Sequence, residues 1–468
     1  YCDSALFNPT KDYFKAFNRI EIVKPRERDT VFLYGDSLHY SGITKVARMR
    51  GNVIMVQDSL TLSTDSLDFN LETNIGYYPN YGITVSGEDT LESKLGFYYA
   101  DTRELFFKDS VVVKNTRFRL YSDTLRHNTV TKISYIFGPT EIISDSNYLY
   151  CEKGKYNHDS DKAYITKEAF LRNQTKTMWG DSLFYDRKKS YGEAFRNVVI
   201  RDTVENLLLT GDYGKYDEAR DISMMTLNAL LTQINAPGDS LFMHADTLIA
   251  KTDTLKIPDI DDKGVEIQRD SLFRVIRAYR HVKIFKQDFQ AKCDSMTYSF
   301  SDSVMRMFYA PVVWSDENQL SADKITVYTE NEKVIQVDLD ENAFAISQSD
   351  STRYDQVRGK KMIGYLENDE LYRVDVLDDG QSLYYVKDSN QLLIGVNIIE
   401  CKDMSIYLEN QKINKIWFYT NPKGTMHPPL SLKDEMKYLP NFKWYDNLRP
   451  RKKADVFVWI TETVEQKK

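Results

Sequence analysis

Aspartates at positions 36, 65, 123 and 181 are the first residues with chemical potential. Each stands in the same short phrase: "LYGDSLHY" (33–40), "LSTDSLDF" (62–69), "LYSDTLRH" (120–127) and "MWGDSLFY" (178–185). Carboxylates recurring at one place in a repeat invite a hard cation such as Ca²⁺, which takes oxygen ligands at about 2.4 Å. Spacing argues against it. Equivalent residues on successive hairpins lie two strand spacings apart, roughly 9–10 Å, too far to share an ion. Lys94 and Lys361 also replace the aspartate in other copies. Each aspartate is therefore read as a local residue that, with the adjacent Ser or Thr, accepts from backbone N–H groups at a bend.

The other reactive side chains are as sparse. Cys2, Cys151, Cys293 and Cys401 share the small-residue column just before the anchor. The nearest two are three hairpins apart, on the order of 30 Å, whereas a disulfide needs Cα atoms within about 7 Å. Buried free thiols are expected. His39, His127, His158, His244, His281 and His427 fall in no HExxH or paired spacing. GxSxG, P-loop and dinucleotide fingerprints are missing. The reading is a protein that is not an enzyme, with no catalytic residues, metal or cofactor.

What positions these residues is the repeat itself. The four aspartates are separated by 29 or twice 29 residues, and the vacant places hold the degraded copies "LESKLGFY" (91–98) and "LYCEKGKY" (149–156). Further copies anchor at Asp3, Asp212, Asp246, Asp294 and Asp323, with weaker ones near Lys361 and Lys402, so the chain holds about thirteen units. Between anchors runs a second strand phrase, such as "TKVARMRGNVIMV" (44–56) and "TKISYIFGPTEII" (131–143), flanked by polar turns. Two turns per unit predict antiparallel hairpins, and the balance of Tyr 32 and Phe 23 against Gly 20 and Pro 12 suits strands. Apolar parity changes at the anchor: Leu33 precedes Asp36 on one phase, Leu38 and Tyr40 follow on the other. One sheet face can stay apolar only if the strand bends there. The fold class is all-β, an elongated antiparallel sheet creased lengthwise into a trough or flattened jelly roll.

The inward columns of that trough are the candidate site. Leu33, Leu62, Leu91, Leu120, Leu149, Met178 and Leu209 form one column; Leu38, Leu67, Leu125 and Leu183 form another across the crease; Val53, Ile142 and Val198 come from the alternate strands. Two readings stand at this point: an ordinary closed core, or a groove that takes a long apolar ligand. The net charge of −7 at pH 7 argues against a nucleic-acid partner, and no apolar run approaches the roughly 18–20 residues of a membrane span. Organisation is read as a β-repeat array over 1–251, an inserted polar loop over 252–271, a second array over 272–420, and a cap or tail over 421–468 that covers the edge of the last strand.

The grammar of small-Asp-x-Leu-x-Tyr followed by a "GNV"-type strand, clearest in "YGDSLHYSGITKVARMRGNVIMV" (34–56) and "WGDSLFYDRKKSYGEAFRNVVI" (179–200), resembles the OstA-like family, the LptA-type periplasmic carriers of lipopolysaccharide transport in Gram-negative bacteria. "LSADKITVYTENEKVIQVDLDENAFAIS" (320–347) resembles the family's "ADK" strand, and the likeness spreads over most of residues 1–410. The resemblance implies a folded antiparallel sheet whose interior takes lipopolysaccharide or lipid A acyl chains. It also implies jelly-roll transport partners joined by edge-strand pairing, a periplasmic location at one membrane or the other, and a signal peptide removed upstream of Tyr1. The alternative is a structural or adhesive β-solenoid with a closed core that binds proteins or glycans on its surface.

Overall fold

The computed structural model describes residues 1–25, 30–204, 206–236, 239–260, 266–331, 333–367, 370–388, 390, 392–409, 412–429 and 432–460. Among these are 37 strands, which pair antiparallel, and a few short 3₁₀ turns. Among the described residues, no helix is long and apolar enough to cross a membrane. Contacts divide the chain into an N-terminal unit, Tyr1–Val204, and a C-terminal unit, Glu205–Lys468. That division lies well before the 252–271 boundary expected from sequence.

The crease is where the parity change places it. Along the strand Thr30–Ser41, Gly35 and Leu38 are buried while Asp36 between them is exposed. Along Arg119–Asn128 the inward residues run Leu120, Ser122, then Leu125. Opposite each anchor, the partner strand carries two consecutive left-handed residues: Asn18 and Arg19, Gly51 and Asn52, Asp109 and Ser110, Arg196 and Asn197. The register slips at those points, for instance between Phe17 and Ile20 and between Arg50 and Val53. An extra residue with positive φ bends a strand and turns the following side chains to the other face.

The bond that holds the crease differs from expectation. The anchor's own backbone N–H donates to the carbonyl of the first left-handed residue: Asp3 to Asn18 at 3.1 Å, Glu152 to Lys167 at 3.1 Å, Asp181 to Arg196 at 3.0 Å, Asp212 to Leu227 at 2.8 Å. The carboxylate instead accepts from the side chain of the second: Asn52 Nδ2 to Asp36 at 2.8 Å, Asn197 to Asp181 at 3.1 Å, Asn228 to Asp212 at 2.7 Å, Asn342 to Asp323 at 3.0 Å. Asn suits both tasks, because it tolerates the left-handed region and carries an amide donor. Where the anchor is Lys94, the partner is Asp109 at 3.1 Å. In the late copy the anchor is Lys360 rather than Lys361; its N–H donates to Asp378 and its ammonium lies 3.8 Å from Glu341.

Two expectations for the C-terminal unit are corrected. Of the residues read as a loop, 252–260 and 266–271 are strand, and 261–265 lie outside the described residues: Thr247–Ile260 pairs with Glu266–Phe285 in unbroken register from Thr247↔Tyr279 to Ile260↔Glu266. Pro258, which suggested a loop, is tolerated because among the described residues the first strand has no partner on its other side beyond Lys251, so the missing proline N–H costs no ladder bond. Nor does the segment after 420 cover the last strand. Lys423–His427 is itself a strand, paired on one side with Leu393–Cys401. The chain beyond runs back over the earlier hairpins of the same unit, where Leu432, Leu439 and Leu448 are buried. Of the cysteines, Cys151 and Cys293 are buried thiols, whereas Cys2 is exposed and Cys401 intermediate.

Candidate lipid-binding cavity

Strand register builds the site. In the N-terminal unit one wall carries a row of cross-strand partners: Leu91↔Val113, Val113↔Leu120, Leu120↔Ile142, Ile142↔Leu149 and Leu149↔Leu171. Across the crease the facing wall carries Phe107↔Leu125, Leu125↔Ile136 and Ile136↔Gly154. Nearer the mouth runs a third row, Leu105↔His127, His127↔Ser134, Ser134↔Tyr156 and Tyr156↔Ala163. Between the walls lies an apolar cavity of about 330 Å³.

Five of the fourteen sequence-predicted residues line it: Leu91, Leu120, Leu125, Ile142 and Leu149. Leu62 and Leu67 border a separate void of about 10 Å³, room for no more than a single water. Leu38, Val53, Met178, Leu183 and Val198 are buried in the same unit outside the cavity lining, and Leu33 is half-buried. Leu209 is buried in the C-terminal unit. Sequence reasoning missed Leu105, Phe107, Val113, Ile136, Ala163 and Leu171. The phase of the strand following each anchor phrase would have found Phe107, Val113, Ile136 and Leu171, since each is the register partner of a leucine already singled out, whereas Leu105 and Ala163 face His127 and Tyr156.

The mouth is polar and partly latched. The two edges of the creased sheet meet through Arg117 Nη1 and Asp161 Oδ2 at 3.4 Å, and His158 Nδ1 lies 3.8 Å from Asp89 Oδ2. The Arg187 guanidinium donates to the Arg117 carbonyl at 3.3 Å and lies over the Phe118 ring. Ser134 Oγ lies 3.0 Å from His127 Nδ1 and 2.8 Å from His158 Nε2. Burial pushes the His127 imidazole down to about 4, aided by His158 and Lys132. His158 is lowered by burial, against the opposing pull of Asp89. The Tyr156 hydroxyl donates to Asp161, and burial with that carboxylate raises it to about 12. Among the described residues, no three His, Cys, Asp or Glu side chains converge as metal ligands.

The C-terminal unit treats its interior differently. Leu432 and Leu439 of the returning segment are buried against Phe344, Ile346, Leu383, Tyr385 and Val396, and Leu448 against Val312 and Trp314. Two glutamines, each at most 1% exposed, read the segment's backbone. Gln356 donates to the Lys437 carbonyl and accepts from the Leu439 N–H, both at 2.8 Å. Gln319 donates to the Lys443 carbonyl at 2.8 Å and accepts from the Tyr445 N–H at 2.7 Å. Further along, Arg449 Nε donates to Gln290 Oε1 at 2.7 Å and Phe457 packs on His244.

No curated protein matches the chain. Residues 1–123, which supply the first strands of the cavity wall, match the family model described as OstA-like protein, and over that stretch the chain is consistent with an OstA/LptA-type protein, a family of periplasmic lipopolysaccharide transport.

Proposed function

We propose that the N-terminal unit is the cargo-bearing part of a periplasmic component that moves lipopolysaccharide toward the outer membrane, holding acyl chains out of water without making or breaking a bond. The observation that carries this reading is the continuous apolar row from Leu91 to Leu171 facing open volume. Burying hydrocarbon is favourable by about 0.8 kcal/mol per methylene, so a ladder of equivalent leucines lets a chain advance one hairpin without a large step in free energy. At about 330 Å³ the cavity sits at the small end of ligand sites. It has room for one chain at a time; a lipid anchor with several chains enters only if the Arg117–Asp161 latch opens. Partners join by strand addition: among the described residues, Lys412–Tyr419 and Lys423–His427 each pair with one strand, and Trp417 and Met426 are exposed beside them.

Photo-crosslinkers at Leu120, Leu125 and Leu149 test the reading against controls at the outward-facing Tyr121 and Phe137. Lipid A adducts at the three inward positions and not the two outward ones are expected. Adducts confined to the outside would favour the adhesive-surface alternative.

A further inference from the structure

The third row of the cavity is chemically unlike the two leucine rows. It places His127, Ser134 and Tyr156 on successive strands, and Lys132 lines the same cavity from the turn before Ile133–Ile143 with a left-handed φ of 54°. Pure hydrocarbon cargo needs none of these groups; Ser134 bridges the two imidazoles and Tyr156 donates to Asp161, which leaves Lys132 as the member of the group with no carboxylate beside it among the described residues.

The charge balance of the mouth is uneven. Asp89 is the one carboxylate among the lining residues, and it accepts from Asn115 Nδ2 at 2.5 Å besides facing His158. Asp161, just outside, is held by Arg117 and Tyr156. Against these, no carboxylate among the described residues lies within ion-pair distance of Lys132, whose charge disfavours protonation of both His127 and His158. Arg187 also lines the cavity and spends one N–H on a backbone carbonyl. Two cations and two imidazoles therefore face a space where the only acid is already engaged.

We propose that this row is an anion seat: Lys132, His127, His158 and the Ser134 hydroxyl hold the carboxylate or phosphate end of a single-chain amphiphile whose hydrocarbon lies along the leucine rows. The inference rests on the reading of the cavity as an acyl-chain site and adds a headgroup class to it. An anion there relieves the mutual repulsion of Lys132 and the two imidazoles and so favours their protonation, and binding takes up protons. Asp89, Asp159 and Asp161 assist protonation of His158, and Lys132 opposes it, so the response is graded.

Titration calorimetry on the full chain with dodecyl phosphate, dodecanoate and dodecanol, each below its micellar concentration, separates the two claims. Both anions are expected to bind about tenfold tighter than the alcohol, the value of one charge-assisted hydrogen bond. That advantage grows between pH 8 and pH 6. A larger advantage for the phosphate identifies a phosphorylated headgroup; a larger one for dodecanoate identifies a fatty acid. Lys132→Gln brings the affinity of both anions down to that of dodecanol for the same variant, while Lys132→Arg keeps the advantage; an unchanged unfolding midpoint shows that both variants fold. Equal binding of all three ligands, or a preference that survives Lys132→Gln, overturns the anion seat and leaves the acyl-chain reading standing. Binding of none of the three overturns both.

Discussion

The two units solve the same folding problem and finish it differently. Both crease their strands at an anchor whose N–H donates to a left-handed residue, and both aim apolar side chains inward from their hairpins. In the N-terminal unit the walls around Leu120 and Leu125 stay apart and enclose about 330 Å³. In the C-terminal unit the chain lays Leu432, Leu439, Leu448 and Val456 into the interior, and Gln319 and Gln356 pair with its backbone. The repeat thus specifies a trough, and what fills the trough is a separate decision. One unit is completed by its own polypeptide; the other is left with a vacancy of ligand size.

The sharpest break in that comparison is removal of the chain after His427. Four buried aliphatic side chains would be lost, each worth about 1.5–3 kcal/mol, on the order of 6–12 kcal/mol together. The C-terminal unit should lose its cooperative melting transition while the N-terminal unit keeps its own; a calorimetric trace with both transitions intact would show that the segment is ornamental. Next in size is Gln319→Leu, which strands the Lys443 carbonyl and Tyr445 N–H in a dry interior at about 2–5 kcal/mol, read as a drop in the denaturant midpoint.

Acid should move the units in opposite directions. The His127 imidazole sits at about 4 in the folded N-terminal unit against an ordinary value of 6.5. The unfolded chain then binds the proton first, and stability is lost as pH falls from about 6.5 to 4, on the order of 3 kcal/mol. In the C-terminal unit, burial raises the Asp355 carboxyl to about 6 from 3.8. Here the folded state binds the proton first, so this group's contribution is present in acid and lost as pH rises from about 4 to 6. His127→Asn should flatten the acid side of the first unit's melting profile. Asp355→Asn should flatten the pH 4–6 slope of the second. A variant that leaves its own unit's profile unchanged refutes that assignment.

The smallest contrast compares two leucine truncations. Leu383→Ala removes a side chain packed all round within the C-terminal cluster, at the upper end of the 2–5 kcal/mol range, whereas Leu120→Ala only enlarges a space that already exists and belongs near its lower end. Equal losses would mean that the N-terminal cavity is closed in solution.

Much of the fold could be read from residue spacing. The crease at Asp36, Asp123 and Asp181 followed from a parity change that no flat strand accommodates, and the leucine columns followed from the crease. Two things escaped. The hairpin Thr247–Ile260 with Glu266–Phe285 escaped because pairing is carried by backbone groups, which acidic side chains and an edge proline do not forbid. The returning segment escaped because its contacts with Gln290, Gln319 and Gln356 join positions more than eighty residues apart, and such separations leave no local pattern. At the cavity, Leu91, Leu120 and Leu149 were legible as one column, Leu125 as part of a second, and Ile142 on the alternate strand. His127, Ser134 and Tyr156 were not, since only the register brings three unlike residues into one row.

Gln319 and Gln356 address peptide groups, which every residue except proline supplies alike. The segment they hold is therefore recognised as a strip of polyamide rather than as a particular text. Many different peptides with a leucine at the right intervals would dock equally well, and proline at Leu439 or Tyr445 would be the substitution most sharply refused.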